Sequence, residues 1–282
     1  MNPMTISVII VSYNTKELLS NCVASVCSSV ANCEYEIIVV DNSSSDGSAA
    51  MLAEQFPDVK LLSNSYNAGF ARANNQGYAI SRGKYILLLN SDTIVKGDAI
   101  ARMIQCLEVQ PSIGIVGPRL LNSDLTLQAQ CRRGFPRLVN SLGYITGLSR
   151  IFPKSSHLGG YLMTHIDDKM SHNVDAVSGA CMLLRRSIIK EIGGLLDEAF
   201  FMHFEDVDLC YRSKEFGYGV WYLHDAEVIH LKGRSSLFRA KGVKQDFCNS
   251  ALIYLAKNYR KESWFGYLVL SAGVRFIRRL RG

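Results

Sequence analysis

An α/β domain on a mixed, mainly parallel sheet, followed by a C-terminal helical appendage, is predicted by three features of the sequence. Short apolar runs alternate with helical patterns over residues 6–90, a polar cluster closes each of several runs, and residues 241–282 combine apolar bulk with cations. At 282 residues, 48% of them hydrophobic, the chain is long enough to bury a core of that kind.

Taken in order, Ile6 to Val11 is an apolar run of strand length, and Lys16 to Val26 follows with helical spacing. Ile37 to Val40 is the second strand, ended by the polar stretch Asp41 to Gly47. A helix near Ser48 to Phe56 leads to a short strand at Val59 to Leu62. Asn67-Ala68-Gly69-Phe70 then opens a helix to about Ser81, and the strand Tyr85 to Leu89 ends at Asn90-Ser91-Asp92. The polar clusters thus fall at the carboxyl ends of strands, where open parallel sheets place their ligand crevice. Singly, Asp41, Ser43 or Asp92 reads as a helix cap or turn former; their succession points to a site.

Further along, Pro111 to Gly117 supplies a turn and a strand, while Leu125 to Gly160 is loop-rich and carries no clear period. Val174 to Leu184 is a mostly apolar run through Ser178-Gly179-Ala180. Arg185 to Ile192 reads as a helix closed by Gly193-Gly194. The acidic stretch Phe204 to Asp208 opens a helix to about Phe216, and a strand is expected near Gly219 to Leu223.

Eight scattered cysteines, with no C-x-x-C pair and no histidine at zinc spacing, suggest reduced thiols in a cytosolic protein. Met1 leads straight to the first strand without a basic region or small-residue cleavage site, which argues against a signal peptide. The uncharged stretch Ser263 to Val274 falls far short of the roughly 20 residues of a membrane-spanning helix. From Leu231 onward, 12 Lys and Arg face only Asp246 and Glu262, so the net +6 of the chain is a property of its tail. That distribution favours an anionic membrane surface or phosphate groups over nucleic acid, which wants a basic face on the folded domain. In the tail from Trp264 to Arg281, Phe276, Ile277 and Leu280 share one helical arc, with Arg275, Arg278 and Arg279 on the other side. The pattern suits a helix lying on anionic lipid, or a helix packed on the domain with its arginines in solvent.

Neither a G-x-G-x-x-G turn nor a Walker lysine loop is present, so phosphates must be held another way. A divalent cation on carboxylates is the common alternative, and Asn90-Ser91-Asp92 after an apolar strand is well placed for it. Glu205, Asp206 and Asp208 crowd three negative charges into four residues. Their mutual repulsion should raise at least one pKa, as a general base requires; the plainer reading is a set of acids suited to a helix N-terminus.

Three stretches, Ser7 to Asn14, Val39 to Ser48 and Asn67 to Phe70, resemble the family 2 glycosyltransferases. Three more, Ser178 to Arg186, Gly193 to Glu198 and Phe200 to Arg212, are similar to the bacterial rhamnosyltransferase branch of that family. The likeness covers about residues 5 to 240. It implies a GT-A fold over residues 1–240, with 241–282 as a basic amphipathic helical region, and an inverting, metal-dependent sugar transfer. It places the base of a nucleotide donor around Ser12, Tyr13, Asn14, Asp41 and Ser43, supported by Asn67, Gly69 and Phe70, with Asn90, Ser91 and Asp92 completing the nucleotide site. The family's aspartate-any-aspartate motif reads Asn90-Ser91-Asp92 here, which makes Asp92 the expected ligand of Mg2+ or Mn2+. His230, in Val228 to Gly233, fits the position of a completing histidine. Asp206 matches the family's base, with Glu205 beside it. Ser178, Gly179 and Ala180 are expected near the donor or acceptor sugar. Arg132 and Arg133, in a segment similar to one in rhamnosyltransferases, either face phosphate or are plain surface charge.

The resemblance points to dTDP-L-rhamnose as donor and to a lipid-linked saccharide of O-antigen or another bacterial surface polysaccharide as acceptor. The enzyme would then work peripherally on the cytoplasmic face of the plasma membrane. Two rival expectations are a UDP-hexose donor on the same fold, and a catalytically silent nucleotide-sugar or membrane-docking module.

Overall fold

The computed structural model describes residues 5–30, 33–231 and 240–280. Its first part is a run of strand and helix units: β1 (Ile6–Ser12), α1 (Lys16–Ser29), β2 (Tyr35–Asp41), α2 (Ser48–Gln55), β3 (Lys60–Ser63), α3 (Phe70–Ile80) and β4 (Tyr85–Asn90). β1 lies between β2 and β4, parallel to both, and β3 extends β2 in parallel. Burial of nearly every residue of β1 explains why it reads as a continuous apolar run, since helices cover both faces of such a strand. α1 turns Leu19, Cys22, Val23 and Val26 inward, the stripe of a helix with one buried face.

The second part comprises β5 (Thr93–Val95), α4 (Ala99–Val109), β6 (Ile113–Leu121), β7 (Arg132–Arg133), α5 (Leu138–Ile145), α6 (Leu148–Ile151), β8 (His172–Asn173), β9 (Ala176–Val177), β10 (Cys181–Arg185), α7 (Arg186–Ile189), α8 (Glu205–Glu215) and β11 (Gly219–His230). The main sheet runs β3-β2-β1-β4-β10-β6-β11-β5, with β8 also paired to β11. β10 is antiparallel to both β4 and β6, and β5 and β8 are antiparallel to β11, so the sheet is mixed but mainly parallel, as predicted.

Three elements differ from expectation. The apolar run Val174 to Leu184 is two strands, because the Ser178–Ala180 turn sends β9 to pair with β7 while β10 enters the main sheet. α7 ends at Ile189, short of Ile192, and the chain tightens through turns into Gly193 and Gly194, both at positive φ. β11 runs on to His230, since β8 and β5 pair with it at different points and Ala226, Val228 and His230 stay buried on one side. The patternless Leu125–Gly160 stretch holds a bridge from Leu127 to Leu121, a 3-10 turn at Ala129–Cys131, β7, α5 and α6.

Residues 240–280 form α9 (Ala240–Tyr254), a π-helical turn (Leu255–Tyr259), α10 (Arg260–Glu262) and α11 (Trp264–Leu280). α11 packs on α9 and α5, and Leu270, Tyr267 and Val274 join Leu255, Tyr259 and Leu138 in a small apolar cluster. A Cβ on Gly266 would lie 2.4 Å from the Tyr259 hydroxyl, so glycine permits the close approach. Trp264, Phe265, Leu268, Val269 and Phe276 of the same helix remain exposed. No helix among the described residues is long and apolar enough to cross a membrane. Lys232, Gly233, Arg281 and the side chain of Leu280 lie outside the described residues.

Candidate active site

The loops after β1 and β2 interlock. Asn42 N–H donates to the Ser12 carbonyl (2.8 Å), Asn14 N–H to Ser44 Oγ (2.8 Å), and Ser45 N–H to Asn14 Oδ1 (2.8 Å). Asn14 and Ser43 both adopt positive φ, a conformation that asparagine tolerates better than most residues. Asp41 is buried; its Oδ2 accepts from Ser44 N–H (3.0 Å), while Oδ1 has no partner. Asn67 Oδ1 accepts from Gly69 N–H, and the carbonyl of Gly69 accepts from Asn42 Nδ2 (3.3 Å), which ties the start of α3 to this cradle. Gly69 has φ +84°, and a Cβ there would lie 2.8 Å from the Phe201 carbonyl oxygen, so only glycine lets the two segments meet. Tyr13 sits in the same loop, half-buried.

At the end of β4, Asn90, Asp92 and His230 converge. His230 Nε2 lies 3.2 Å from Asp92 Oδ1 and 3.4 Å from Asn90 Nδ2. β5 pairs His230 with Thr93, and Leu231 N–H donates to the Asp92 carbonyl, so strand register sets this geometry. Gln128 Nε2 donates to Asn122 Oδ1 and to the His230 carbonyl. Its Oε1 is therefore free to accept from His230 Nδ1–H at 2.7 Å, which leaves the Nε2 lone pair facing Asp92. Two acceptors at that spacing call for a proton or a cation between them. A carboxylate, an imidazole and the Asn90 amide fit a hard divalent ion in ligand chemistry. No group of three or more His, Cys, Asp and Glu with metal-binding geometry occurs among the described residues, so such an ion would take further ligands from substrate or water. Sequence reading missed Gln128, and also Thr15, whose hydroxyl joins Ser12 (3.0 Å) to Ser91 (2.9 Å) across two loops.

The Ser178–Ala180 turn links this centre to the acidic helix. Asn90 N–H donates to the Ala180 carbonyl (2.9 Å), and Gly179 N–H donates to Asp206 Oδ2 (3.0 Å). A Cβ on Gly179 would stand 3.2 Å from Asp206 Cβ and 3.7 Å from the Phe70 ring, so the cradle and the carboxylate are neighbours. Arg133 Nη2 pairs with Asp206 Oδ2 at 2.5 Å, and Asp206 Oδ1 accepts from Val207 N–H. Burial opposes the Arg133 charge, but the Asp206 carboxylate holds the guanidinium above its usual range.

The two arginines part company. Successive strand residues face opposite ways, and Arg132 turns to the carbonyls of Ile166 and Asp167, to His172 and to the ring of Tyr222. The Arg132 guanidinium is thus engaged by the fold and buried. The source of the raised acid also differs from expectation. Glu205 is pushed up to about 8, first by burial and only second by the Asp206 charge, and its Oε2 has no partner. Asp208, fully buried, is met by Arg212 (2.9 Å), Lys257 (3.0 Å) and Asn258 (2.8 Å). It anchors the C-terminal helices to α8.

Residues 7–193 match glycosyl transferase family 2. An uncharacterized Sinorhizobium fredii protein, y4gI, is 27% identical over 235 residues, which is 82% of this chain and 25% of that protein. The N-acetylglucosaminyl-diphospho-decaprenol L-rhamnosyltransferase of Mycobacterium tuberculosis is 28% identical over 211 residues, 71% of this chain and 67% of the relative. Among solved structures, GalNAc-T7 with UDP, GalNAc and Mn2+ aligns at a TM-score of 0.63 and 16% identity, over 90% of this chain and 48% of that one. The chain thus spans from a quarter to two thirds of the length of these proteins. The shared architecture is the GT-A fold, with its mixed, mainly parallel sheet.

Proposed function

The chain belongs to glycosyl transferase family 2, and on that premise we propose that it is an inverting, metal-dependent hexosyltransferase. Its donor is a pyrimidine nucleoside diphosphate sugar and its acceptor a hydroxyl of a lipid-linked saccharide. The observation that carries this reading is the position of Asp206, a buried carboxylate bound to the turn that closes the carboxyl end of β4 and adjoining Phe70 of the cradle.

Asp41 supports the choice of base. With Oδ2 already engaged, one buried acceptor remains, which suits the single N–H on the pairing edge of uracil or thymine; guanine presents two adjacent donors. Within that class, a UDP-hexose is the first reading, supported by a fold neighbour solved with UDP. The second is dTDP-L-rhamnose used in a bacterial surface polysaccharide such as O-antigen, supported by the mycobacterial relative named for L-rhamnosyl transfer to a diphospho-decaprenol-linked sugar.

Asp92 and His230, with Asn90, would hold Mn2+ or Mg2+, which when bound neutralises charge on the leaving diphosphate. Gly179 N–H and Val207 N–H hold the Asp206 carboxylate in place. Asp206 takes the proton of the acceptor hydroxyl as that oxygen bonds to the anomeric carbon, opposite the diphosphate. The broken carbon–oxygen bond gives its electron pair to the departing nucleoside diphosphate. Peripheral placement on the cytoplasmic membrane face is supported by Arg275 and Arg279 beside exposed Phe276 on α11.

The test is a panel of nucleotide sugars with a lipid-linked acceptor, the product weighed by mass spectrometry. UDP or dTDP should raise the melting temperature by mass action, and GDP should not. Stabilisation by GDP alone, or donor and acceptor turnover by Asp206→Asn at the parental rate, would overturn the reading; nucleotide binding with no product from any donor would leave a silent binding module.

A further inference from the structure

A cavity of about 600 Å3 opens between α5, α9 and α11, a size typical of sites that hold small organic ligands. The transfer chemistry at Asp206 does not use it. Its walls include Ile145 of α5, Leu255 of the π-helical turn, and Leu270 and Val274 of α11. Tyr161 and Phe204 also line it. Phe204 immediately precedes Glu205 and Asp206, and the Tyr161 hydroxyl lies beside Arg133, the partner of Asp206. The lining of the apolar chamber thus comes within one residue of the acidic pair that opens α8.

Two further observations bear on its occupant. The bordering helices α5 and α11, and α6 packed beside α5, expose large apolar side chains: Ile145 on α5, Ile151 on α6, and Trp264, Phe265 and Phe276 on α11. An exposed apolar surface of that extent marks contact with a membrane or a partner. Lys244 and Arg278, both exposed, contribute to the cavity lining, so anionic groups are favoured beside the apolar space.

We propose that this cavity receives the isoprenyl chain of a lipid-phosphate-linked acceptor. The chain enters from the bilayer across the exposed faces of α5 and α11, the phosphates meet Lys244 and Arg278, and the sugar reaches Asp206. In a two-fold dimer through this patch, a second copy would bring its own strongly cationic tail against Lys244 and Arg278, whereas a lipid phosphate brings the opposite charge. A flat bilayer surface covers a patch but does not fill a chamber walled by α5, α9 and α11. The proposal rests on Asp206 being the base that meets the acceptor.

Its test uses the full chain and a benzophenone-bearing farnesyl diphosphate, with cross-linked peptides mapped by mass spectrometry. Labelling is expected on α5, α9 and α11, to be competed by farnesyl diphosphate and not by inorganic diphosphate. Ile145→Asp, at an exposed position that tolerates charge, and Val274→Trp, which fills the chamber, should each weaken farnesyl diphosphate binding about tenfold or more. In transfer assays both should raise KM for a farnesyl-linked acceptor and leave an isopentenyl-linked one unchanged. Labelling elsewhere, equal competition by inorganic diphosphate, or loss of self-association in Ile145→Asp without any labelling overturns the proposal. Because labelling needs no turnover, an inactive protein that still labels in the cavity refutes the transferase reading and keeps the lipid site. An active protein that does not label does the reverse.

Discussion

In the half of the molecule built from β1 to β4, most polar groups are held from the same or the adjoining loop: Asn14 by Ser44 and Ser45, Asp41 by Ser44, Gly69 by Asn67, with Thr15 to Ser91 the long-range exception. On the far side of Gly179, the site is assembled over long sequence distances. Arg133 reaches Asp206, Lys257 and Asn258 reach Asp208, and α11 returns to α5. The donor side is a property of strand ends, whereas the acceptor side is a property of packing. Asp206 and Asp208, two residues apart on α8, take different parts in that packing. Asp206 is held between the Gly179 turn and Arg133, and Asp208 is spent on holding the helices that wall the chamber.

The sharpest way to break this contrast is to neutralise the two aspartates separately. Asp206→Asn should lower kcat by about 10²–10⁴-fold, the usual worth of a positioned base, and should also lower the melting temperature, because the buried Arg133 guanidinium loses its carboxylate. Asp208→Ala should cost about 3 kcal/mol of stability by urea unfolding, because Arg212 and Lys257 lose a buried partner. Part of the Lys257 charge is still met by Asp197 at 2.6 Å, which limits the cost. Should Asp208→Ala instead stay folded to the parental midpoint with activity gone, the division of labour assigned to α8 would be wrong.

The donor side was legible because each cluster follows an apolar run, so period and position place Asp41 and Asp92 together without knowledge of the fold. The acceptor side was not. α5 exposes Val139, Leu142 and Ile145 and buries Ser141 and Gly143, so its apolar residues point toward solvent and the chamber, and no inward stripe marks it as a helix. Gln128 and Thr15 escaped notice because their partners, His230 and Ser91, are 102 and 76 residues away. The split between Arg132 and Arg133 carried a signal that was readable: adjacent residues on a strand cannot both face one phosphate.

Metal binding tests the border between the two sides, since Asp92 comes from the end of β4 and His230 from the far end of β11. Gln128→Leu removes the acceptor that fixes the Nδ1 proton of His230. Affinity for Mn2+ should fall about 10–100-fold, the range for losing an outer hydrogen bond to a ligating histidine, while nucleotide binding without metal should hold. Chelation by EDTA should stop turnover of the parent, and added Mn2+ should restore it. Equal Mn2+ titrations for Gln128→Leu and the parent would sever the packing side from the metal.

The last test concerns Glu205, which stands at the meeting point of the two sides with one oxygen unpartnered. Burial, reinforced by the Asp206 charge, holds its folded pKa at about 8 against 4.5 in the free state. Between those values the folded protein keeps a proton that the unfolded chain releases. Its contribution to stability is therefore complete below pH 4.5 and is lost as pH rises through 8. Glu205→Gln keeps the neutral shape at every pH, so its melting temperature should decline less than the parent's over that window, with the gap widest at the alkaline end. Parallel curves for the two proteins would mean that Glu205 is solvated and ionised, and that the floor beneath Asp206 is wetter than the packing side requires.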